Sequence, residues 1–257
     1  NIIVRGVDTD QSPYDSGSYA SSTTYVTGGA VVKACESMRK RICEEAAAIM
    51  GLKSGEVDFD GETISENDNP EHSMTLSDLI TSLEAGKGRI IEVTESHTSP
   101  VSPPPFMAGA AEIEVDLETG KITPINYVAA VDCGTVINTN LARIQTEGGI
   151  VQGMGMTLYE DVQYTEAGKM KNRNFMSYKI PTRLDMGSIS VEFESSYEQT
   201  GPYGAKSIGE IVINTPAPAI ADAVYNATGL RFRTLPITAE QVMMGPVSYT
   251  HLTLPTI

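Results

Sequence analysis

Glu210 closes the run Gly201-Pro-Tyr-Gly-Ala-Lys-Ser-Ile-Gly-Glu210, a lone carboxylate in a glycine-rich turn. If it is buried among Ile208, Ile211 and Val212, its pKa is pushed upward, toward the range of a useful general base. A nearby Lys206 opposes that shift, and a surface-turn glutamate fits the spacing as well. A second stretch, Asp15-Ser-Gly-Ser-Tyr-Ala-Ser-Ser-Thr-Thr24, lies between a predicted strand and a predicted helix. Small residues there, Ala20 among them, let backbone N–H groups approach a ligand. The hydroxyls of Ser21, Ser22, Thr23 and Thr24 add donors near a helix N-terminus. The pattern suits a phosphate or a polar heterocycle, and equally a plain helix cap. A third stretch, Gln145-Thr-Glu-Gly-Gly-Ile-Val-Gln-Gly-Met-Gly155, carries four glycines within eight residues. Each costs a helix about 1 kcal/mol relative to alanine. That cost implies close backbone approach, either by a ligand or by a neighbouring element of the chain.

Other chemistries find no support. His72 and His97 stand alone, with no second ligand type at helical spacing. Cys35 and Cys43 fall on or beside the apolar stripe of a predicted helix and read as small core thiols. No zinc or iron–sulfur site and no metal-ligating set is built from this chain. A phosphate loop of the G-x-x-x-x-G-K-[ST] type and a strand-borne G-x-G-x-x-G are both missing.

The elements that must position these residues follow from periodicity. Residues 2–5 predict a short strand. A helix from about Ala30 to Met50 has Val31, Cys35, Met38, Ile42, Ala46 and Ile49 at spacings of three and four, and Gly51 stops it. Segment 52–72 is acidic and reads as peripheral. Thr75 caps a helix to about Ala85. The prolines at 100, 103, 104 and 105 mark a rigid connector and a lobe boundary. Beyond it, alternation from Ala111 and the turn Glu118-Thr119-Gly120-Lys121 predict a hairpin returning to Val131. Further elements are a helix from Leu141 to about Tyr159, a strand over 188–195, and a helix over 216–228 with Pro in its first turn. Thr238 and Gln241 form a capping box before a last helix. The class is α+β, with mixed sheets and packed helices in two lobes, 1–100 and 101–245.

The chain has 257 residues, 18 basic against 33 acidic side chains and a net charge of −15. That balance argues against nucleic acid, which needs clustered Lys and Arg, and against anionic lipid. No apolar run approaches a membrane span. Three cysteines without a C-x-x-C point to a reducing cytoplasm. Opening on Asn1 and an apolar Ile-Ile-Val, the sequence reads as the back half of a longer polypeptide. Residues 246–257, uncharged and without helical period, read as a non-native tail resembling translated adapter sequence.

Taken in order, several motifs resemble the molybdopterin-binding large subunit of the xanthine dehydrogenase/aldehyde oxidase family of molybdenum hydroxylases. They are Val7-Asp-Thr-Asp10 with the Ser/Thr loop, Val131-Asp-Cys-Gly134 with Ile137-Asn138, and Gln145-x-Glu-Gly-x-x-x-Gln-Gly153. Tyr178-Lys-Ile-Pro181, Ala205-Lys-Ser-Ile-Gly-Glu210 and Leu235-Pro-Ile-Thr238 follow, so the likeness covers about residues 2–245. The resemblance implies that Glu210 is the catalytic base. It would take a proton from a metal-bound hydroxyl while an electron-poor C–H carbon of a xanthine-like purine or other aza-aromatic is hydroxylated, with water as the oxygen source. It implies that Gln145 hydrogen-bonds the cofactor and that Ala20, Ser21, Thr23 and Thr24 wrap the pterin. Lys206 sits at a lysine position of the glutamate loop and is counted with the cofactor-binding residues. Molybdenum would be held by the pterin dithiolene, with no metal ligand from the chain, and [2Fe–2S] and FAD would lie on partner subunits or domains. The rest of the large subunit would complete the site. Aldehyde or nicotinate oxidation is open within the family, and so is a non-catalytic assembly or binding module that keeps the fold without cofactor.

Overall fold

The computed structural model describes residues 3–6, 8–10, 12–99 and 101–251. The chain divides into two compact units, one of Asn1–Gly17 with Thr23–Val101 and one of Ser18–Ser22 with Ser102–Ile257. The division puts Ser18–Ser22 with the second unit, whereas sequence alone places the whole loop in the first lobe.

In the first unit, a π-helical turn Thr23–Thr27 leads into helix α1, Gly28–Met50. Gly51 ends α1 at φ 76°, its N–H returning to the Ala47 carbonyl, as a left-handed cap requires. The buried face of α1 is Ile42, Cys43, Ala46 and Ala47, in its C-terminal half. Val31, Cys35 and Ile49 are exposed, so Cys43 is a core thiol and Cys35 is not. The stripe is continuous in sequence, but only the C-terminal half of the helix has an apolar partner within this unit. That partner is a sheet the sequence reading does not predict. Segment 52–72 is not merely peripheral: it supplies strands β1 Val57–Phe59, β2 Thr63–Glu66 and most of β3 Asn69–Thr75, paired antiparallel in that order. Val57 and Ile64 are its buried residues, too few to produce a period among the acids around them. The expected strand at 2–5 is also corrected. Residues 3–6 form no strand, and Ile3 and Val4 are exposed. A lone extended segment has no neighbour for its backbone groups. Ile2 lies outside the described residues.

Helix α2, Leu76–Lys87, buries Leu79 and Leu83 against the same core. Its start is a capping box: Thr75 Oγ1 accepts from the Asp78 N–H at 3.1 Å, and the Asp78 carboxylate accepts from the Thr75 N–H at 3.3 Å. Thr75→Ala is expected to lower the stability of this unit by about 1 kcal/mol. Denaturant melting of the variant checks it, and an unchanged midpoint would mean the cap contributes nothing.

The second unit is built on a mixed sheet of order β4-β5-β6. β4, Phe106–Val115, and β5, Ile122–Asp132, form the expected antiparallel hairpin. Its turn is closed by the Asp116 carboxylate, which accepts from the Glu118 N–H at 2.9 Å and the Thr119 hydroxyl at 2.8 Å. β6, Ser188–Phe193, runs parallel to β5. Helix α3, Thr139–Leu158, lies in the connection between them, so one βαβ crossover is present where the sequence reading expects strands and helices interleaved with hairpins and no regular βαβ units. Helices α4, Pro216–Thr228, and α5, Ala239–His251, complete the unit. The α5 backbone continues into the segment read as a tail, while residues 252–257 lie outside the described residues. Tyr127, Val131, Ile150, Met154, Ile220, Val224 and Ile237 are at the centre of the core. Among the described residues no helix is long and apolar enough to cross a membrane.

Candidate active site

The site grows from the C-terminal end of β5. There the chain turns at Gly134, with φ +68°, and lies against the backbone of residues 204–206. The Lys206 N–H donates to the Cys133 carbonyl at 2.7 Å, and the Thr135 N–H donates to the Gly204 carbonyl at 2.8 Å. Side chains add to this lacing. Lys206 Nζ donates to Asp132 Oδ2 at 2.6 Å, with only 12% and 20% of the two side chains exposed. The other carboxylate oxygen, Oδ1, accepts from the Ser196 hydroxyl at 2.5 Å and from the Gly134 N–H at 3.0 Å. The Lys206 ammonium also lies 5.4 Å from the centre of the Phe106 ring, an additional favourable contact for a cation.

Burial pushes the Asp132 carboxyl upward, but hydrogen bonds from Lys206, Ser196 and the Gly134 N–H outweigh it and hold it below its ordinary 3.8. The charged form is therefore favoured by folding. Its contribution is fully present above 3.8 and is lost as pH falls through the lower folded value. A carbon-detected NMR titration of Asp132 is expected to give a midpoint below 3.8. A midpoint at or above that value would mean the Lys206 contact is not formed.

Four residues beyond Lys206, Glu210 opens a 3-10 turn, Ile211–Ile213. Val212 is fully buried, and it packs where a side chain at Gly149 of α3 would stand. One turn along α3, a Cβ at Gly153 would come within 2.7 Å of the Pro216 ring. Two of the four glycines thus let α3 seat the chain that follows Glu210. The close approach implied by the sequence is here an approach of the chain's own elements. Gly148 faces open space, and Gly155 accommodates Glu160 and Pro181.

Around Glu210 itself, three distant stretches converge. The Ser21 hydroxyl donates to Glu210 Oε2 at 3.0 Å, and Gln145 Nε2 donates to the Gly209 carbonyl at 2.9 Å. A Cβ at Gly209 would stand 3.2 Å from Ser21 Oγ, so the glycine permits this approach. Ala20 and Ser21 both hold positive φ, 48° and 59°. Such backbone costs a non-glycine residue about 1–3 kcal/mol and gathers at functional sites.

Ala20, Ser21, Gln145 and Glu210 are therefore brought together. Lys206 is one step removed, its ammonium committed to Asp132. Thr23 and Thr24 belong to the first unit, in the π-helical turn. Glu210 is exposed, not enclosed by its apolar neighbours, because Val212 turns into the core while the carboxylate turns toward Ser21. The burial that the sequence reading allows for is absent. Asp132 and Ser196 carry no assigned role in the sequence reading. The available signal is an acid at a strand end followed within two residues by glycine. Residues of the other motifs make local contacts: Asn138 caps α3 through the Leu141 N–H at 3.0 Å, and the Tyr178 hydroxyl donates to Glu160 at 2.6 Å, while Val7 lies outside the described residues. The Ile237 N–H of the Leu235–Thr238 segment donates to the Thr157 carbonyl at 2.7 Å. No group of three or more His, Cys, Asp or Glu side chains suited to a metal ion occurs among the described residues.

Residues 1–187 match the molybdopterin cofactor-binding domain family. The chain belongs to that family. This molybdopterin cofactor-binding domain is 32% identical over 248 residues to the probable hypoxanthine oxidase XdhD of Escherichia coli K12, covering 95% of the chain and 25% of that protein. It is 30% identical over 244 residues to the xanthine dehydrogenase molybdenum-binding subunit of Escherichia coli O157:H7, covering 93% of the chain and 32% of that protein. A solved structure, the reconstituted CO dehydrogenase from Oligotropha carboxidovorans, superposes with a TM-score of 0.80 at 23% identity, over 95% of the chain and 31% of the other. At that identity the likeness concerns the fold, and the fold is α+β as expected. The molybdopterin cofactor-binding domain described here spans about a quarter to a third of the length of these proteins.

Proposed function

We propose that this chain forms the C-terminal part of a molybdenum hydroxylase large subunit, in which Glu210 is the general base for hydroxylation of an electron-poor C–H carbon in a xanthine-like purine or related aza-aromatic. One observation carries the reading: Ser21, Gln145 and the Gly209–Glu210 pair, up to 189 residues apart, meet within hydrogen-bond distance. The donor set fits a molybdopterin. An amide, a hydroxyl and strained backbone at Ala20 and Ser21 are hydrogen-bonding groups, while no metal-ligating cluster occurs among the described residues. Those polar groups suit a pterin, whose own sulfurs would hold the metal. When bound, the cofactor supplies the two-electron oxidation, with water as the source of oxygen.

The chain's own residues bind, orient and move a proton. Gln145 ties α3 to the Gly209 carbonyl and so holds the glutamate loop beside the pterin site. Ser21 orients the carboxylate by donating to Oε2, leaving Oε1 to accept the proton. Ala20, Ser21, Thr23 and Thr24 line the cofactor loop. The relatives named for hypoxanthine and xanthine, at 30–32% identity, support a purine. Others at 25–27% are named for carbon monoxide and nicotine, so the substrate is the finer part of the proposal. Relatives named as a molybdenum-binding subunit and as a large chain support assembly with other subunits, on which the proposal places the iron–sulfur and flavin groups; a cytoplasmic location is part of the same proposal. The test is Glu210→Gln in the full-length subunit with its partners, with molybdenum content and turnover measured together. Full molybdenum with lost turnover supports the base, and retained turnover overturns it.

A further inference from the structure

We infer that Asp132 is a positioning residue for the Glu210 loop, acting through Lys206 to fix that loop to the end of strand β5. The inference rests on the reading of Glu210 as base. Asp132 has defined donors on both carboxylate oxygens: Lys206 on one, Ser196 and the Gly134 N–H on the other. It is also the last residue of β5 and pairs in register with Phe106, the first of β4. The Phe106 ring contacts the same ammonium. The anchor thus sits on two paired strand ends. The backbone bonds from 133–135 to 204–206 lie directly beside it.

From this anchor to Glu210 the chain has four residues. On the far side, Val212 is locked against α3 at Gly149. An exposed carboxylate on a short glycine-containing loop has little packing of its own; beside the Ser21 and Gln145 hydrogen bonds, the two flanking anchors constrain it. The charge pair adds to these backbone bonds an anchor that one neutralisation removes. With Asp132 neutralised, a mostly buried ammonium is left uncompensated, and it regains water only by carrying its loop outward. Lys206 therefore acts on Asp132 and the loop backbone, and not as a ligand of the pterin. Asp132 and Lys206 never touch the reacting atoms in this scheme. They set where Glu210 waits.

The test uses the full-length subunit with its partners. Asp132→Asn keeps the shape and the hydrogen bond from Ser196 while removing the charge. Hydrogen exchange read by mass spectrometry is expected to quicken by at least about tenfold in peptides covering 204–210, with little change in β4 and β5. Turnover is expected to fall about 10–100-fold, as a misplaced catalytic group does, with molybdenum content kept and KM within about threefold. In the Glu210→Gln background the same substitution is expected to cost little more, because positioning an absent base has no effect. Full additivity of the two substitutions, or unchanged exchange and turnover in Asp132→Asn, overturns the inference. If Glu210→Gln alone retains turnover, the base reading falls, while the exchange result still decides whether Asp132 holds the loop. Should Asp132→Asn fail to fold, Ser196→Ala removes one hydrogen bond and keeps the ion pair. It is expected to show a smaller shift of the same exchange signal, and its absence overturns the inference.

Discussion

Glu210→Gln in the full-length subunit is expected to cut turnover by about 10²–10⁴, the usual value of a positioned general base. In free energy this is about 3–5 kcal/mol of transition-state stabilisation. The substitution is nearly isosteric. Its amide oxygen still accepts from the Ser21 hydroxyl, now 3.0 Å from Oε2, and the Gln145 bond to the Gly209 carbonyl is untouched. The loop therefore keeps its place while losing the group proposed to take the proton. KM should change little, since a base whose work is done in the transition state adds little to ground-state binding. Molybdenum content is the control that separates a lost base from a lost cofactor. Turnover within about tenfold of the parent would remove Glu210 from the base role, because so small a loss is below what general-base catalysis supplies.

Gly134→Ala is expected to destabilise the second unit by about 2–5 kcal/mol. Part of this is backbone: at φ +68° an L-residue pays about 1–2 kcal/mol. The rest is overlap. A Cβ at this position would run into the Gly204 carbonyl and stand 2.8 Å from the Lys206 nitrogen and 3.0 Å from the Ala205 carbonyl carbon. All three are backbone atoms, so no side-chain rotation relieves them, and such overpacking costs about 1–3 kcal/mol. Relief comes only by pushing the 204–206 segment off the end of β5, which carries Glu210 with it. The variant should therefore melt earlier and, where it still holds molybdenum, turn over slowly. Denaturant melting is read by circular dichroism on the full-length subunit, the same protein whose molybdenum content and turnover are measured. Gly148→Ala is the control. Nothing lies within 4 Å of its Cβ position, and a helix gains up to about 1 kcal/mol from the exchange. Equal destabilisation of the two variants would show that helix and loop strain, not the loop contact, governs the site.

Helix α2 and the β4–β5 hairpin were legible because their signals are local. Thr75 and Asp78 satisfy each other's backbone three residues apart, and Asp116 closes its own turn. The same holds for Gly51 after α1, whereas α3, read as starting at Leu141, begins at Thr139 behind its Asn138 cap. The small sheet of the first unit was hidden, because β1 and β2 have three and four residues and bury one each. So few apolar positions yield no period, and pairing alone makes them strands. The strand expected at 2–5 is the converse case: apolar residues in a row, with no neighbour to pair among those described.

By itself, the sequence determined which residue types were available for chemistry, the caps and turns that bound the elements, and the likeness that points to a molybdopterin. Whether the glycines of 148–155 served a ligand or packing was decided only in three dimensions, where Val212 and Pro216 fill the space at Gly149 and Gly153. So was the partner of Lys206, which is Asp132, 74 residues away, and not Glu210, four residues away. The exposure of Glu210 was decided there too. Charge pairing and burial depend on which surfaces meet across the chain. A local window records the groups that must be satisfied, and the tertiary structure selects which of them satisfies which.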